Sequence, residues 1–147
     1  MKTVMNSAMK THYLEDLSEG MEASYTRTVT EADIEAFARV SGDTNPVHLD
    51  EDYARGTMFK TRIAHGMLSA GYISTVLGTK LPGPGCIYMS QTLKFLAPVK
   101  IGDTVVTTLK LTSLDPVKRR AQFHCQCSVG DRKVVEGEAM VMVPSRG

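Results

Sequence analysis

The chain has 147 residues, 42% hydrophobic and 22% charged, with 17 Lys and Arg against 16 Asp and Glu and a formal net charge of +1. This is the composition of an ordinary globular protein long enough for one domain with a real core. The charge gives no electrostatic reason to expect nucleic acid or an anionic membrane, and no apolar run reaches the roughly 18 to 20 residues of a bilayer span.

The first 13 residues, MKTVMNSAMKTHY, have no apolar h-region and are expected to be a flexible tail rather than a signal peptide. Residues 14–147 are expected to form a single domain. Met21 to Val29 alternates as a strand does. Thr30 then offers a helix cap, with Glu31 and Asp33 well placed in the first turn. Ile34, Phe37, Ala38 and Ser41 recur at helical spacing and predict one core face, and Gly42 is a stop signal.

Next comes SGDTNPVHLD, residues 41–50. Pro46 pushes Asn45 out of the helical region, so a proline-set turn is expected from Asp43 to His48. Fully extended, that separation would span up to about 17 Å; a turn brings the two side chains much closer. Either residue alone would serve in an ordinary turn or core. Together they are an acid–base pair in waiting.

From Asp50 to Ile63 the chain is polar and irregular, with one helical turn around Glu51 to Arg55. Gly66 to Gly78 reads as a helix with apolar residues nearly all round, and is expected to be buried. Pro82 to Gly85 closes it with a loop. Four strand-like runs follow: Ile87 to Val99, Thr104 to Ser113, Arg120 to Val129 and Lys133 to Val143. Turns at Gly102-Asp103, Asp115-Pro116 and Gly130-Asp131 would let them meander. The result is an α+β domain, an antiparallel β-sheet wrapped around one long helix.

The three cysteines, Cys86, Cys125 and Cys127, have no framework spacing, which points to a reducing, cytoplasmic compartment. HCQC at 124–127 would put two thiols on one strand face, but no second cluster completes a tetrahedral metal site. These are expected to be core cysteines, and no metal is expected.

SGDTNPVHLD followed by IAHGM resembles the MaoC-like, (R)-specific enoyl-CoA hydratases of the hot-dog fold, and GPGCIYMSQTLKFLAPVKIGD (83–103) is similar to their strand and turn sequence. The resemblance covers residues 14 to 143. It implies reversible addition of water to a trans-2-enoyl-CoA, giving the (R)-3-hydroxyacyl-CoA. It places the catalytic pair on Asp43 and His48, the oxyanion backbone N–H on Gly66, and an active-site serine on Ser74. Asn45 would polarise the carbonyl or water, or shape the turn. His65, Met67, Leu68 and Leu77 are expected at the substrate; His65 could instead cap and pack the helix start. Ser74 and Leu77, one turn apart, suggest a tight pocket end and short acyl groups.

The chemistry explains the residue types. Water must lose a proton as it attacks Cβ, Cα must gain one, and the thioester oxygen must be stabilised. A carboxylate and an imidazole holding one water can do the first two, and imidazole exchanges protons near neutral pH. A helix start supplies the third through free N–H groups and the positive dipole end. Coenzyme A is then substrate, not cofactor, and no nucleotide fingerprint suggests another. Its phosphates need cations; Lys94, Lys100, Arg132, Lys133 or Lys118-Arg119-Arg120 are candidates, the last also reading as a solvated hairpin turn. A hot-dog thioesterase and a non-catalytic acyl-CoA-binding subunit are the competing readings; neither needs both Asp43 and His48. An acyl-carrier-protein substrate stays open. Uncovered sheet edges and the resemblance both imply a homodimer or a multiple of it.

Overall fold

The computed structural model describes residues 9–147. Residues 1–8 of the expected tail lie outside the described residues. His12 N–H donates to Pro82 O at 2.7 Å, and Thr11 Oγ1 to Pro84 O at 2.9 Å. A short 3-10 turn, Leu14–Asp16, follows.

Strand β1 (Glu22–Thr28) leads into helix α1 (Glu31–Ser41). Thr30 and Asp33 cap α1 reciprocally, with Asp33 N–H donating to Thr30 Oγ1 and Thr30 N–H to the Asp33 carboxylate. Arg27 on β1 pins that carboxylate at 2.6 Å. Gly42, at φ 80°, ends the helix in the left-handed region that glycine adopts without strain. Ile34 and Ala38 are buried as expected. Ser41 is not; it is exposed and its hydroxyl donates to Phe37 O.

The expected turn is a one-turn helix, α2 (Pro46–Leu49), followed directly by α3 (Glu51–Arg55). Pro46 sits in the first turn, where its missing N–H costs nothing. Asn45 is the N-cap and accepts from Val47 N–H.

Helix α4 (Gly66–Thr79) packs against β1 and two later strands, β4 (Thr104–Asp115) and β6 (Arg132–Met142). The remaining strands are β2 (Ile87–Gln91), β3 (Lys94–Phe95) and β5 (Arg120–Val129). All pair antiparallel in one sheet of order β1-β4-β5-β6-β2, with β3 also on β6. The fold is the hot-dog: a sheet around a central helix. Alternate residues of the strands face α4, including Leu109, Leu111, Phe123, Cys125, Cys127 and Val141, all fully buried. Each such apolar side chain contributes about 1.5 to 3 kcal/mol by burial.

Two expectations need correction. Ile87 to Val99 is not one strand of a meander but two short ones, both on β6. Pro98 cannot donate to a ladder, and the chain breaks at Thr92, whose carbonyl lies against Gly137 of β6. Helix α4 is also not buried all round. It buries Ser69, Tyr72, Ile73, Val76 and Leu77, while Gly66, Met67, Gly71, Ser74 and Gly78 are exposed on its other side. Glycine and serine read as compatible with a core, but add little apolar surface to one.

Among the described residues no helix is long and apolar enough to cross a membrane. The two ends of the described chain are tied together. Arg146 meets the Asp16 carboxylate through two nitrogens at 2.8 Å and lies over the Tyr13 ring.

Candidate active site

The loop that follows Gly42 is shaped by its own side chains. Ser41 Oγ accepts from Asp43 N–H, and an Asp43 carboxylate oxygen accepts from Asn45 N–H. These bonds set Asp43 at the surface, just ahead of α2. On α2, His48 is 8% exposed and its Nδ1 lies 2.8 Å from Ile63 O. A carbonyl only accepts, so Nδ1 carries the hydrogen and Nε2 is left with the lone pair. Burial pushes the His48 pKa below the ordinary imidazole value, with the neighbouring His65 pushing the same way; the Ile63 bond and Asp43 oppose it.

His65 is the residue before α4 and is 2% exposed. Its Nε2 donates to the backbone oxygen of Asp43 at 2.9 Å. Its ring stacks on His48, centroids 3.8 Å apart and planes 28° apart, and also meets the tilted ring of Phe37, centroids 4.7 Å apart. Side-chain donor atoms of Asp43, His48 and His65 thus fall within 4.8 Å of one another. They do not suit one metal ion. An imidazole binds a metal in the plane of its ring, and two nearly parallel stacked rings do not share such a point at bonding distance. Cys125 and Cys127 form no metal site with this set either; they are free and buried, and burial pushes the Cys125 thiol up to about 12.

Gly66 is the first residue of α4, so its N–H has no acceptor within the helix. A Cβ at this position would stand 2.6 Å from the Phe95 ring, so any side chain here would have to push that half-exposed ring aside. Beside it opens an apolar cavity of about 540 Å³ lined by Ile63, His65, Gly66, Phe95 and Val135 among others. Asp43 and His48 do not line it; the cavity reaches them through His65 and Gly66. Met67 stands at its mouth, 54% exposed. Leu68 lines a separate groove between β1, α1 and α4. Asn45 is the cap of α2. Leu77 lies in the core, 1% exposed. Ser74 is on the exposed side of α4 and lines neither space. The structure therefore assembles Asp43, His48, His65 and Gly66 and leaves Ser74 and Leu77 apart from them.

Arg62 had no sequence signal. It is 8% exposed, and its Nε donates to His48 O at 2.7 Å while its Nη1 meets Glu31 of α1 at 2.6 Å. Phe37 was legible only as core, not as a wall against His65.

A hot-dog sheet carrying an Asp–His pair beside a helix start and an apolar cavity defines a class of acid–base proteins acting on acyl thioesters. The MaoC-like domain family matches residues 14–130, and the chain belongs to it. It is 60% identical to the (R)-specific enoyl-CoA hydratase of Rhodospirillum rubrum, over 92% of this chain and 94% of that protein. It is 51% identical to the 3-hydroxybutyryl-CoA dehydratase of Methylorubrum extorquens, over 91% and 85%. The unliganded R-hydratase PhaJ1 of Pseudomonas aeruginosa superimposes with a TM-score of 0.88 at 45% identity, over 92% and 88% of the two chains.

Proposed function

We propose that the chain is an (R)-specific enoyl-CoA hydratase, a hydro-lyase adding water reversibly to trans-2-enoyl-CoA. The observation that carries this is the His48 imidazole, fixed with Nδ1–H on Ile63 O and Nε2 free, within reach of Asp43 and the start of α4. The family relationship and the names of the relatives support it.

In the reaction, one water is held between the Asp43 carboxylate and His48 Nε2. Its O–H breaks as oxygen bonds Cβ, and the pair returns a proton to Cα. The product carries OH on Cβ and one added hydrogen on Cα, and the Asp43–His48 pair ends with the protons it began with. Charge that builds on the thioester oxygen is met by Gly66 N–H and the positive end of the 14-residue α4. Such a donor is worth about 2.7 to 4 kcal/mol in comparable sites. No bound cofactor is needed, and coenzyme A enters as part of the substrate.

Short acyl groups are the preferred substrates; the four-carbon name of the 51%-identical relative supports this. The working form is a homodimer or a multiple of one. The exposed side of α4 and the apolar residues Ile87, Tyr88 and Met89 on edge strand β2 support a second copy covering them. Three free thiols fit the cytoplasm.

The test is loss of enoyl-thioester absorbance with crotonyl-CoA, with product chirality determined. Wild-type protein gives the (R)-3-hydroxy product, and Asp43→Ala and His48→Ala, still folded, lose about 100-fold or more. Release of free CoA from saturated acyl-CoAs without hydration would instead make the protein a thioesterase.

A further inference from the structure

We propose that His65 is a positioning residue for the hydration reaction, holding Asp43 by its backbone and His48 by its ring so that the two converge on one water. This rests on the assignment of Asp43 and His48 as the reacting pair.

Three observations carry it. The first is the bond from Nε2 to Asp43 O, at 2.9 Å. Asp43 lies in a solvent-exposed stretch, and the other hydrogen bonds that shape it, from its N–H to Ser41 Oγ and from Asn45 N–H to its carboxylate, stay within that stretch. The His65 bond is what ties the Asp43 backbone to the central helix. The second is that the His65 ring stacks on His48 of α2 and also meets the tilted ring of Phe37 of α1. One side chain thereby fixes the spacing of three elements. The third is its tautomer. With Nε2–H donating to a carbonyl, Nδ1 holds a lone pair, and this atom is buried with no partner among the described residues. A ring placed only for packing would be better as phenylalanine, which has no polar atom to desolvate. Leaving that atom unpaired is the kind of expense that function, rather than stability, explains.

The reacting atoms gain from this because general acid–base transfer depends steeply on placement. A misplacement of about 1 Å can lower the rate about 100-fold. Neither the Asp43 bond nor the ring contacts of His65 require it to touch substrate, although the residue borders the cavity. The role therefore differs from substrate binding and separates in kinetics. It should appear in kcat, and in the protonation of His48, rather than in KM.

The charged groups around His48 are Asp43 on the preceding turn and Arg62 at its carbonyl. Glu31 of α1 pairs with Arg62, and Glu51 of α3 accepts the Arg62 backbone N–H. Among the groups acting on the His48 proton, His65 disfavours the imidazolium and Asp43 favours it. Removing the His65 ring while keeping a donor should therefore move the acid limb of the rate profile to higher pH.

The experiment uses the full chain, crotonyl-CoA, and four variants. His65→Phe keeps a ring against His48 and Phe37 and loses the donor. His65→Gln restores a donor and loses the ring. Asp43→Asn and His48→Gln test the pair itself. We expect His65→Phe to lower kcat about 10 to 100-fold with KM within about threefold of wild type. His65→Gln should recover part of that loss, and its acid limb should lie above that of wild type. Circular dichroism and thermal melts give the folded fraction for each. If kcat stays within about twofold in both His65 variants, or if KM rises while kcat holds, the proposal fails. It fails equally if both losses vanish once rates are corrected for folded protein. Retained activity in Asp43→Asn and His48→Gln would overturn the pair's assignment, and this proposal with it, whatever the His65 variants do.

Discussion

Arg62 Nε donates to His48 O at 2.7 Å, from a guanidinium that is itself almost out of contact with water. The same guanidinium reaches Glu31, whose side chain is 59% exposed. These two contacts differ in weight. A pair with so exposed a carboxylate is worth about 0 to 1 kcal/mol, whereas a charge-assisted bond to a buried carbonyl is worth about 1.5 to 3. Glu31→Gln should therefore lower stability by under about 1 kcal/mol and leave kcat within about twofold. Arg62→Met should cost about 2 kcal/mol and lower kcat about tenfold by freeing α2. Urea unfolding and crotonyl-CoA kinetics read both numbers. Equal effects from the two variants would mean the ion pair, not the carbonyl contact, holds α2.

His48 works as a base only when neutral. Burial lowers its pKa, so the neutral form persists to more acidic pH than a free imidazole would allow. We expect kcat/KM to rise along an acid limb with a midpoint below about 6.5 and to level by neutral pH. The linked stability has the same sign. As pH falls through the ordinary imidazole range the unfolded chain takes up the proton first, so stability drops until the depressed folded pKa is passed. A limb above 6.5, measured with a poorly reactive substrate so that chemistry limits, would contradict the burial argument.

Gly137 of β6 admits no side chain. A Cβ there would stand 1.8 Å from the Thr92 carbonyl oxygen, which is backbone and has little room to yield. Gly137→Ala should lower stability by about 1 to 3 kcal/mol or more, the usual range for overpacking. Gly71→Ala, where the added carbon meets nothing within 4 Å, is the control and should be neutral or slightly stabilising in the isolated chain. Thermal melts of the two variants side by side give the comparison.

Leu77 sits 1% exposed between α4 and the sheet. Leu77→Ala should cost about 2 to 5 kcal/mol through a new cavity. If the acyl group ends near it, the same variant should also turn over longer enoyl-CoAs better relative to crotonyl-CoA. Unchanged chain-length preference in folded protein would place the pocket end elsewhere, with the apolar space beside Gly66 the next candidate.

Asp16 is held at about 2 by the Arg146 guanidinium, well below the ordinary carboxylate value. A depressed carboxylate stabilises above its unfolded pKa and loses that contribution as pH falls through the folded value. The clamp between the two ends of the described chain should thus be intact at neutral pH and open only in strong acid. Protection factors at residues 145–147, corrected for intrinsic exchange, should fall in Asp16→Asn at neutral pH towards those of the wild type near pH 2.

Much of this was readable from residue order because local chemistry decided it. Thr30, Asp33 and Gly42 bracket α1 by capping rules that need no tertiary information. Pro46 fixes the break before α2, though whether a turn or a helical turn follows depends on Asn45 reaching Val47 N–H. What escaped were relations across long sequence separations. Nothing in TRIAH announces that Arg62 will meet Glu31, and nothing in the run 87–99 announces pairing with β6 rather than β4. The helix α4 misled because glycine and serine are silent about which side faces the sheet. Asp43 and His48 were legible as a pair; their third neighbour, His65, was legible as a residue but not as a ring stacked on His48.

The hydrogen-bonding groups that converge on the site, from Ser41 to Gly66, all come from one contiguous stretch running from the end of α1 to the start of α4, while the sheet supplies walls only. Scaffold and chemistry are therefore separable units in this protein. A graft of residues 41–66 onto an inert hot-dog relative would carry the reacting geometry with it, given a phenylalanine at the position of Phe37 to seat the ring and a glutamate at that of Glu31 to hold Arg62. Conversely, drift in the strands can reshape what the cavity accepts without disturbing how protons move, which makes the sheet the place to retune substrate choice.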